Sequence, residues 1–482
     1  MTALTFHRAL FAIVLATLLP LDARAADPAI YDPATLAAFP TIVRAANASD
    51  YAYRQDEYLS DVIGARLSGS PQAEFGVQYV ADRMRELGLK VRLEKVMVPH
   101  WVRGLETADI VDWAGRPGAI EQHLAVTALG GSVATPTSGI TAPVVVVHDF
   151  KELDALGAAV RGKIVLYDVV FDKRLSAAGQ GGDAYGAIVA YRGRGPSAAA
   201  RYGAVATLIR SLGSADYRLP HTGLTGYKKG VPPIPAGALS TEDADLIARL
   251  AARGPVTVHV TLTPKTLPDA PSENVIADLT GSTDPEKIVI VSGHLDSWDL
   301  GTGATDDGAG VAEAMGVMAV LHDLRLRPRT TIRFIAWMNE ENGVRGGTAY
   351  AADEKASLPN HLAAIESDSG AASPIGLNTS LSGAAAPFLE PIAESLVANG
   401  SPHVTYDAGS ETDIGPIAEL GVPAYAPQQD DPKYFDYHHT AADTFDKVSP
   451  SGITANVAVL ATLAYGLADA NRQPAREKFG ER

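Results

Sequence analysis

The chain has 482 residues, of which 46% are hydrophobic, and its formal net charge is −16. This length and apolar content predict a globular protein of two or three domains. The negative charge argues against nucleic acid as a partner, because affinity for nucleic acids depends on cationic contacts with phosphates. The sequence contains no cysteine, which excludes disulfides, a thiol nucleophile and thiolate metal ligands.

The first 25 residues are typical of a secretory signal peptide. Arg8 precedes an apolar run from Ala9 to Pro20, and the small-residue sequence Ala-Arg-Ala at 23–25 fits a cleavage site. The apolar run is too short to span a membrane, which needs about 20 residues. We therefore expect residues 1–25 to be removed and the mature protein to be exported to the periplasm or the extracellular space. No later segment is identified as a membrane span after signal cleavage.

The next part of the chain is predicted to contain a helix that leads into a strand. Residues 70–91 place apolar side chains on one helix face, begin with Ser70-Pro71, and reach a helix-ending Gly88. The strand follows at once in RLEKVMVPHWV. We assign residues 26–117 to the N-terminal part of a catalytic domain.

Between residues 118 and 268 the pattern changes to short apolar runs separated by glycine and proline. One helix is expected at 240–252, with Ser240 or Thr241 as its cap. These features predict an inserted, mainly β domain. From 269 to 475 continuous apolar strands alternate with helices, which predicts an α/β sheet covered on both faces. Ligands of such sheets bind beyond the strand ends.

Candidate metal ligands follow each apolar strand of the 269–475 unit. Histidine and carboxylate without sulfur suit zinc and related divalent metals. Carboxylates that are forced together resist ionisation unless a cation lies among them. Two metals that share a bridging carboxylate would need about five protein ligands. Five residues supply that number: His294, Asp306, Glu341, Asp368 and His439.

Two pairs of neighbouring side chains suggest further roles. Successive side chains on a strand point to opposite sides, so one member of the pair Glu340 and Glu341 can bind metal while the other acts as general base. His294 and Asp296 are two residues apart on an extended segment, so Asp296 can hydrogen-bond the imidazole. Asp307 is interpreted as a turn residue.

These motifs resemble the co-catalytic zinc exopeptidase family, which includes bacterial leucyl aminopeptidases and glutamate carboxypeptidases, with the plasma glutamate carboxypeptidase (carboxypeptidase Q) branch nearest. The resemblance rests on GHLDSWDLGTGATDDGAG, NEENGVRGG, ESDSG, GSETDIGPIAELGVPA and YHHTAADT, between Asn274 and Ser449. It implies a three-layer αβα catalytic domain. It also implies that the insertion is a protease-associated domain, whose strands and helix the segments 162–169, 203–209 and 232–250 resemble.

The resemblance further implies two zinc ions per subunit, bridged by Asp306. Glu340 would be the general base, and Asp296 would orient a metal-bound histidine. The remaining ligands that it assigns are His294 and Asp368 for one ion, and Glu341 with a C-terminal histidine for the other.

Two adjacent histidines are candidates for the C-terminal ligand. In the family the last ligand directly precedes a small hydroxyl residue, which selects His439 before Thr440. His438 is the second candidate, with packing or substrate contact as its alternative role. By the same resemblance, Asp413 and Tyr425 are candidate contacts of the specificity pocket, and a purely structural role is the equal alternative for both.

The expected activity is hydrolysis of dipeptides or short peptides by zinc-activated water. Cleavage from the amino end and from the carboxyl end both remain open. The alternatives are an N-acyl amino acid deacylase or a cyclising acyltransferase with the same metals, and a non-catalytic binding protein. A homodimer is a further expectation from the resemblance.

Overall fold

The computed structural model describes residues 29–429 and 431–477, so the predicted signal peptide lies outside the described residues. The strands are β1 (Lys90–Val102), β2 (Glu106–Trp113), β3 (Gln122–Leu124), β4 (Val126–Ala128), β5 (Ile140–Val147), β6 (Ile164–Tyr167), β7 (Ala206–Arg210), β8 (Ala236–Leu239), β9 (Val256–Leu262), β10 (Lys265–Leu279), β11 (Asp284–His294), β12 (Thr330–Trp337), β13 (His361–Glu366), β14 (Pro374–Thr379), β15 (His403–Thr405) and β16 (Ala424–Gln429). The α-helices are α1 (Pro33–Asn47), α2 (Tyr51–Glu57), α3 (Pro71–Glu86), α4 (Phe150–Leu156), α5 (Lys173–Ala177), α6 (Gly181–Ala200), α7 (Thr241–Ala251), α8 (Ala309–Asp323), α9 (Arg345–Asp353), α10 (Ala386–Ser395), α11 (Gly415–Ala418), α12 (Tyr434–Tyr437) and α13 (Pro450–Asp469).

The first sheet has eight strands in the order β1-β10-β12-β11-β13-β16-β14-β15. Its centre is parallel, since β11 pairs in parallel with β12 and β13, and β13 pairs in parallel with β16. β1 and β10 extend one side as antiparallel strands. The carboxyl ends of the central strands therefore lie at the same edge of the sheet.

Both faces of this sheet are covered by helices. On β11, Val289 and Val291 pack into a core shared with α1, α8 and α13, while Ile288 and Ile290 pack into a second core on the other face. That second core includes Tyr350 of α9. The alternation explains why the strand is apolar at successive positions, and it confirms the predicted three-layer α/β architecture.

The second sheet has the strand order β3-β2-β9-β5-β6-β7-β8-β4 and runs from Glu106 to Leu262. The sequence places the insertion at 118–268, whereas β2 begins earlier and β10, from Lys265, belongs to the first sheet. The chain crosses between the sheets along two adjacent segments, where the Thr263 backbone N–H donates to the Leu105 carbonyl at 3.0 Å. Gly104 and Pro264 lie at these crossings, and the division into domains stays a prediction.

Two helices form with the caps that the sequence indicates. The Ser70 hydroxyl accepts from the Ala73 backbone N–H at 3.1 Å at the start of α3. The Ser240 hydroxyl accepts from the Asp243 backbone N–H at 3.2 Å at the start of α7. Each cap satisfies a backbone donor that the first helical turn leaves free.

Helix α13 corrects one inference from the sequence. By length and composition this helix could cross a membrane. The sequence alone leads us to expect no such segment after the signal peptide. Of the most apolar 18-residue stretch of this helix, 83% is buried inside the protein. A helix that is covered on all sides is apolar on all sides, so composition alone does not separate a core helix from a membrane span.

Two Phe→Ala substitutions test the core assignment. Phe334 of β12 is fully buried in the first core, whereas Phe75 of α3 is 64% exposed. We expect Phe334→Ala to lower the free energy of unfolding by about 3–5 kcal/mol, because it leaves a cavity. We expect Phe75→Ala to change it by no more than about 0.5 kcal/mol. Denaturant titration of both variants measures this, and equal losses would contradict the layer assignment.

Candidate metal centre

The predicted ligands meet beyond one edge of the first sheet. The parallel strands β12, β11 and β13 all end there, so the segments that follow them are neighbours. The segment after α12 reaches the same place from the C-terminal part of the chain. Together these segments bring five side chains into proximity: His294, Asp306, Glu341, Asp368 and His439.

The five side chains form two groups that share Asp306. Its Oδ1 lies 3.2 Å from Nε2 of His294, which is also 3.4 Å from Oδ1 of Asp368. Its Oδ2 lies 3.2 Å from Nε2 of His439, which is 3.0 Å from Oε2 of Glu341. Within each group the ligand atoms lie within 4.8 Å of one another. One carboxylate therefore faces both groups, with a different oxygen toward each.

The centre holds negative charge away from water. Burial raises the pKa of Glu340 to about 7 and that of Glu341 to about 8, and nearby carboxylates add to both effects. Burial lowers the pKa of His294, but Asp368 and Asp306 outweigh it and hold that pKa well above its usual value. Among the described residues, Asp306 Oδ2 and Glu341 Oε1 have no hydrogen-bond partner. These nitrogen and oxygen donors fit two divalent metal ions.

Glu340 and Glu341 lie in a turn, not on a strand as the sequence reading assumes. β12 ends at Trp337, and the chain turns at Asn339, whose φ is 78°. Asn adopts this left-handed conformation more readily than most residues. The two side chains still diverge: Glu341 faces His439, and Glu340 lines the cleft above the ligand groups.

Asp296 has a different partner from the one that the spacing predicts. Its Oδ1 is 4.0 Å from Nδ1 of His294, which instead pairs with the Asp296 main-chain oxygen at 2.8 Å. The carboxylate accepts from the backbone N–H groups of Asn339 and Glu340, at 2.6 and 3.0 Å, and from the Ser68 hydroxyl at 2.9 Å. The alternation fails because β11 ends at His294. Asp296 thus contacts His294 through its carbonyl and holds the turn of Glu340 through its carboxylate.

Asp307 supports the backbone of the centre. Its carboxylate accepts from the backbone N–H of His294 at 2.9 Å and from that of Gly310 at 3.0 Å. A Cβ atom at Gly310 would lie 2.0 Å from the Ser367 carbonyl oxygen, so glycine permits the first turn of α8 to approach β13. The peptide bond between Asp306 and Asp307 is cis, which the sequence does not predict.

The two adjacent histidines stack with their ring centroids 3.8 Å apart, and each is 8% exposed. His439 faces Glu341, whereas Nε2 of His438 lies 3.4 Å from Asp306 Oδ2 and its Nδ1 lies 3.2 Å from Nε2 of His221. His221, His438 and His439 form a third group of adjacent ligand atoms. Burial lowers the pKa of His221 and of His438 well below the usual value.

A cleft of about 610 Å³ lies over the ligand groups. Tyr185 and Arg192 of α6 line it, and His221 is buried close to them. Arg192 Nη1 lies 3.4 Å from Nδ1 of His439. The sequence reading misses these residues because α6 contains glycines and Pro196, which disfavour a helix. His221 gives no signal either, since it is an isolated histidine in a loop.

Asp413 and Tyr425, the expected pocket contacts, are buried and do not line the cleft. Glu411 and Thr412 line it instead. The backbone N–H of Ile414, next to Asp413, donates to the buried Glu366 carboxylate at 3.1 Å, which holds this segment against the sheet. Of the two roles that the sequence leaves open for Asp413 and Tyr425, their burial favours the structural one.

The family model and the relatives that match this chain are all described as peptidases. The family described as Peptidase family M28 matches residues 274–464. Carboxypeptidase Q of Mus musculus is 38% identical over 419 residues, which cover 86% of this chain and 85% of the relative. Carboxypeptidase Q of Homo sapiens is 37% identical over 424 residues, covering 88% and 86%.

The solved structures that this chain resembles are also peptidases. A peptidase M28 precursor from Shewanella amazonensis SB2B has a TM-score of 0.86 at 36% identity, covering 92% of this chain and 98% of that one. A zinc aminopeptidase from Bacillus subtilis has a TM-score of 0.63 at 21% identity, covering 88% and 98%, and so shares the fold. The carboxypeptidase Q relatives and the peptidase M28 precursor match over most of both chains at 36% to 38% identity, and the chain therefore belongs to peptidase family M28 and is a metallopeptidase.

Proposed function

We propose that this metallopeptidase is an exported exopeptidase that uses two zinc ions to hydrolyse dipeptides or short peptides. The observation that carries the proposal is the Asp306 carboxylate, which faces one ligand group with each oxygen. Relatives named carboxypeptidase Q support the exopeptidase activity, and a fold relative named a zinc aminopeptidase supports the metal. Export is supported by the N-terminal sequence, and N-terminal sequencing of the mature protein tests it.

The ligand assignment follows the two groups. His294, Asp306 and Asp368 would hold one ion, and Asp306, Glu341 and His439 would hold the other. When bound, the two ions supply the Lewis acidity that polarises the scissile carbonyl and acidifies the attacking water.

The chain itself supplies the proton transfers. In this proposal Glu340 takes a proton from the attacking water and returns it to the leaving amine. The Asp296 carboxylate holds the backbone N–H of Glu340 at 3.0 Å, which fixes the base over the cleft. Tyr185 and Arg192 of α6 line the cleft beside these groups.

A panel of substrates tests the proposed activity. We expect free dipeptides to be hydrolysed by the zinc-loaded protein and not after treatment with EDTA. Dipeptides blocked at either the amino or the carboxyl end identify the free end that cleavage requires. N-acetyl amino acids complete the panel, and their preferential hydrolysis would favour the deacylase. A protein that holds two zinc ions and cleaves no member of the panel would contradict the proposal.

Glu340→Gln tests the general base. The amide cannot accept the proton of water, so we expect kcat to fall by about 10²–10⁴-fold while the zinc content stays unchanged. Glu74→Gln on the exposed face of α3 is the matched control, and its kcat should equal that of the wild type. Steady-state kinetics and metal analysis measure both quantities. A Glu340→Gln variant with near-normal kcat sinks this role.

Asp306→Asn tests the shared ligand. An amide nitrogen cannot bind a metal ion, so one substitution should weaken both sites, by about 100-fold or more in affinity. Metal analysis after dialysis against a weak chelator measures the zinc content. Asp323→Asn, whose side chain is 79% exposed, is the control and should retain two ions. Loss of one ion only would show that Asp306 is not shared.

A further inference from the structure

A second cavity lies on the side of α6 that faces away from the candidate metal centre. Its volume is about 540 Å³, which is within the range of about 300–1,000 Å³ that small-molecule sites occupy. Its walls are residues between 193 and 201 at the end of α6, residues 226–228 of the loop between β7 and β8, and Phe150 of α4. An α-helix turns by about 100° per residue, so Arg194 projects from the opposite side of α6 to Arg192, which lines the cleft. The cavity is therefore separate from the cleft over the metal ligands.

Three cationic side chains line this cavity, those of Arg194, Arg201 and Lys228, and no carboxylate of the described residues lines it. All three are exposed to solvent. Neither Arg194 nor Lys228 forms a salt bridge within the described part of the chain, and Arg201 pairs with Asp154 at 3.7 Å. This positive charge is concentrated in a chain whose net charge is −16. Like charges that are held close together repel one another, so an anion between them would relieve that repulsion.

Two aromatic rings form the apolar part of the lining. The guanidinium of Arg194 lies over the Phe150 ring, with Cζ 5.8 Å from the ring centroid. Tyr227 is fixed in place because its hydroxyl donates to the Ile234 carbonyl at 2.7 Å. An aromatic ring below a guanidinium offers a flat apolar surface beside a positive charge. The cavity can therefore take a molecule that has both a flat body and a negative group.

The space between these groups is open, and its walls are joined to each other. A Cβ atom at Gly193 would meet no neighbouring atom within 4 Å, so packing does not require glycine there. Glycine is also unfavourable inside a helix, where alanine or leucine is preferred. The backbone N–H of Gly226 donates to the Gly193 carbonyl at 3.0 Å, and that of Lys228 donates to the Ser197 hydroxyl at 2.8 Å. The loop and α6 thus form a cavity whose shape is set before a ligand binds.

We propose that this cavity is a second binding site, which takes a small organic anion with two negative charges and a flat apolar body. Arg194, Arg201 and Lys228 bind the negative group through charge-assisted hydrogen bonds, and the rings of Phe150 and Tyr227 contact the body. Phosphate monoesters of aromatic compounds and aromatic dicarboxylates share this chemistry. Free amino acids fit poorly, because their ammonium group would face the same three cations. The inference does not depend on the proposed peptide hydrolysis and goes beyond it.

Calorimetric titration of the zinc-loaded full chain tests the site. Phenyl phosphate and phthalate are the organic probes, and inorganic phosphate is the probe without an apolar body. We expect the stronger organic probe to bind with a Kd below about 1 mM, and phenyl phosphate to bind about 10-fold more tightly than inorganic phosphate, because its ring is removed from water. Failure of both organic probes to reach that affinity overturns the proposal. Equal affinities for phenyl phosphate and inorganic phosphate would overturn the assignment of an apolar body.

Oxygen ligands also bind zinc, so substitutions in the cavity must locate the bound probe. Arg194→Gln and Lys228→Gln should each weaken binding of the stronger probe by about 10-fold, since each removes a charged hydrogen-bond donor. Lys355→Gln, which changes an exposed lysine after α9, is the matched control and should leave the affinity unchanged. Unchanged affinity in both cavity variants would place the probe at the metal ions and overturn the proposal.

Gly193→Leu tests the shape of the cavity without a change of charge. The new side chain occupies the open space, and we expect it to weaken binding of phenyl phosphate by at least about 10-fold. Leucine favours a helix more than glycine does, so this variant should fold and retain its zinc. Wild-type affinity in Gly193→Leu contradicts the position of the aromatic body. Since all these measurements are of binding, a zinc-loaded protein that cleaves no dipeptide contradicts the proposed function and leaves this inference intact.

Discussion

The repulsion among buried carboxylates is the constraint on which the centre depends. Asp306, Asp368, Glu340 and Glu341 occupy a site with little access to water. Burial and nearby carboxylates raise the pKa of Asp368, Glu340 and Glu341, whereas the neighbouring histidines hold that of Asp306 well below its usual value. The imidazoles of His294 and His439 offset part of this charge. A centre of this kind holds its geometry only if the backbone keeps the acids in place against their mutual repulsion.

Other carboxylates provide that restraint. Asp307 binds the backbone of β11 and the first turn of α8, and Asp296 binds the turn that carries Glu340. Glu366 binds the segment beside Asp413. These acids accept hydrogen bonds from backbone N–H groups, which join strand ends that would otherwise be independent loops. Carboxylates therefore serve here both as proposed metal ligands and as hydrogen-bond acceptors that hold the backbone in place.

The sequence predicts the first sheet well because its signals are local. Apolar strands alternate with helices, and His294 and Asp368 lie at or just beyond the ends of the paired strands β11 and β13, so topology alone brings these two residues together. The contact of Asp296 is not predictable in this way, since it depends on where β11 ends. The part of the cleft that α6 forms is also not predicted, because glycines and Pro196 disfavour a helix, although Gly195 packs closely against Tyr167. Contacts between distant segments carry no periodic signal.

The hydrogen bond from Thr222 to the His439 carbonyl has a consequence for the organisation of the molecule. The two sheets are separate in topology. The loop between β7 and β8 of the second sheet nevertheless carries Thr222, which binds the backbone of His439 beside the candidate ligand groups. A rigid-body shift between the sheets would displace His439 directly. The second sheet thus contributes to the candidate centre, and replacing it with a foreign domain would remove part of the support for the proposed metal ligand His439.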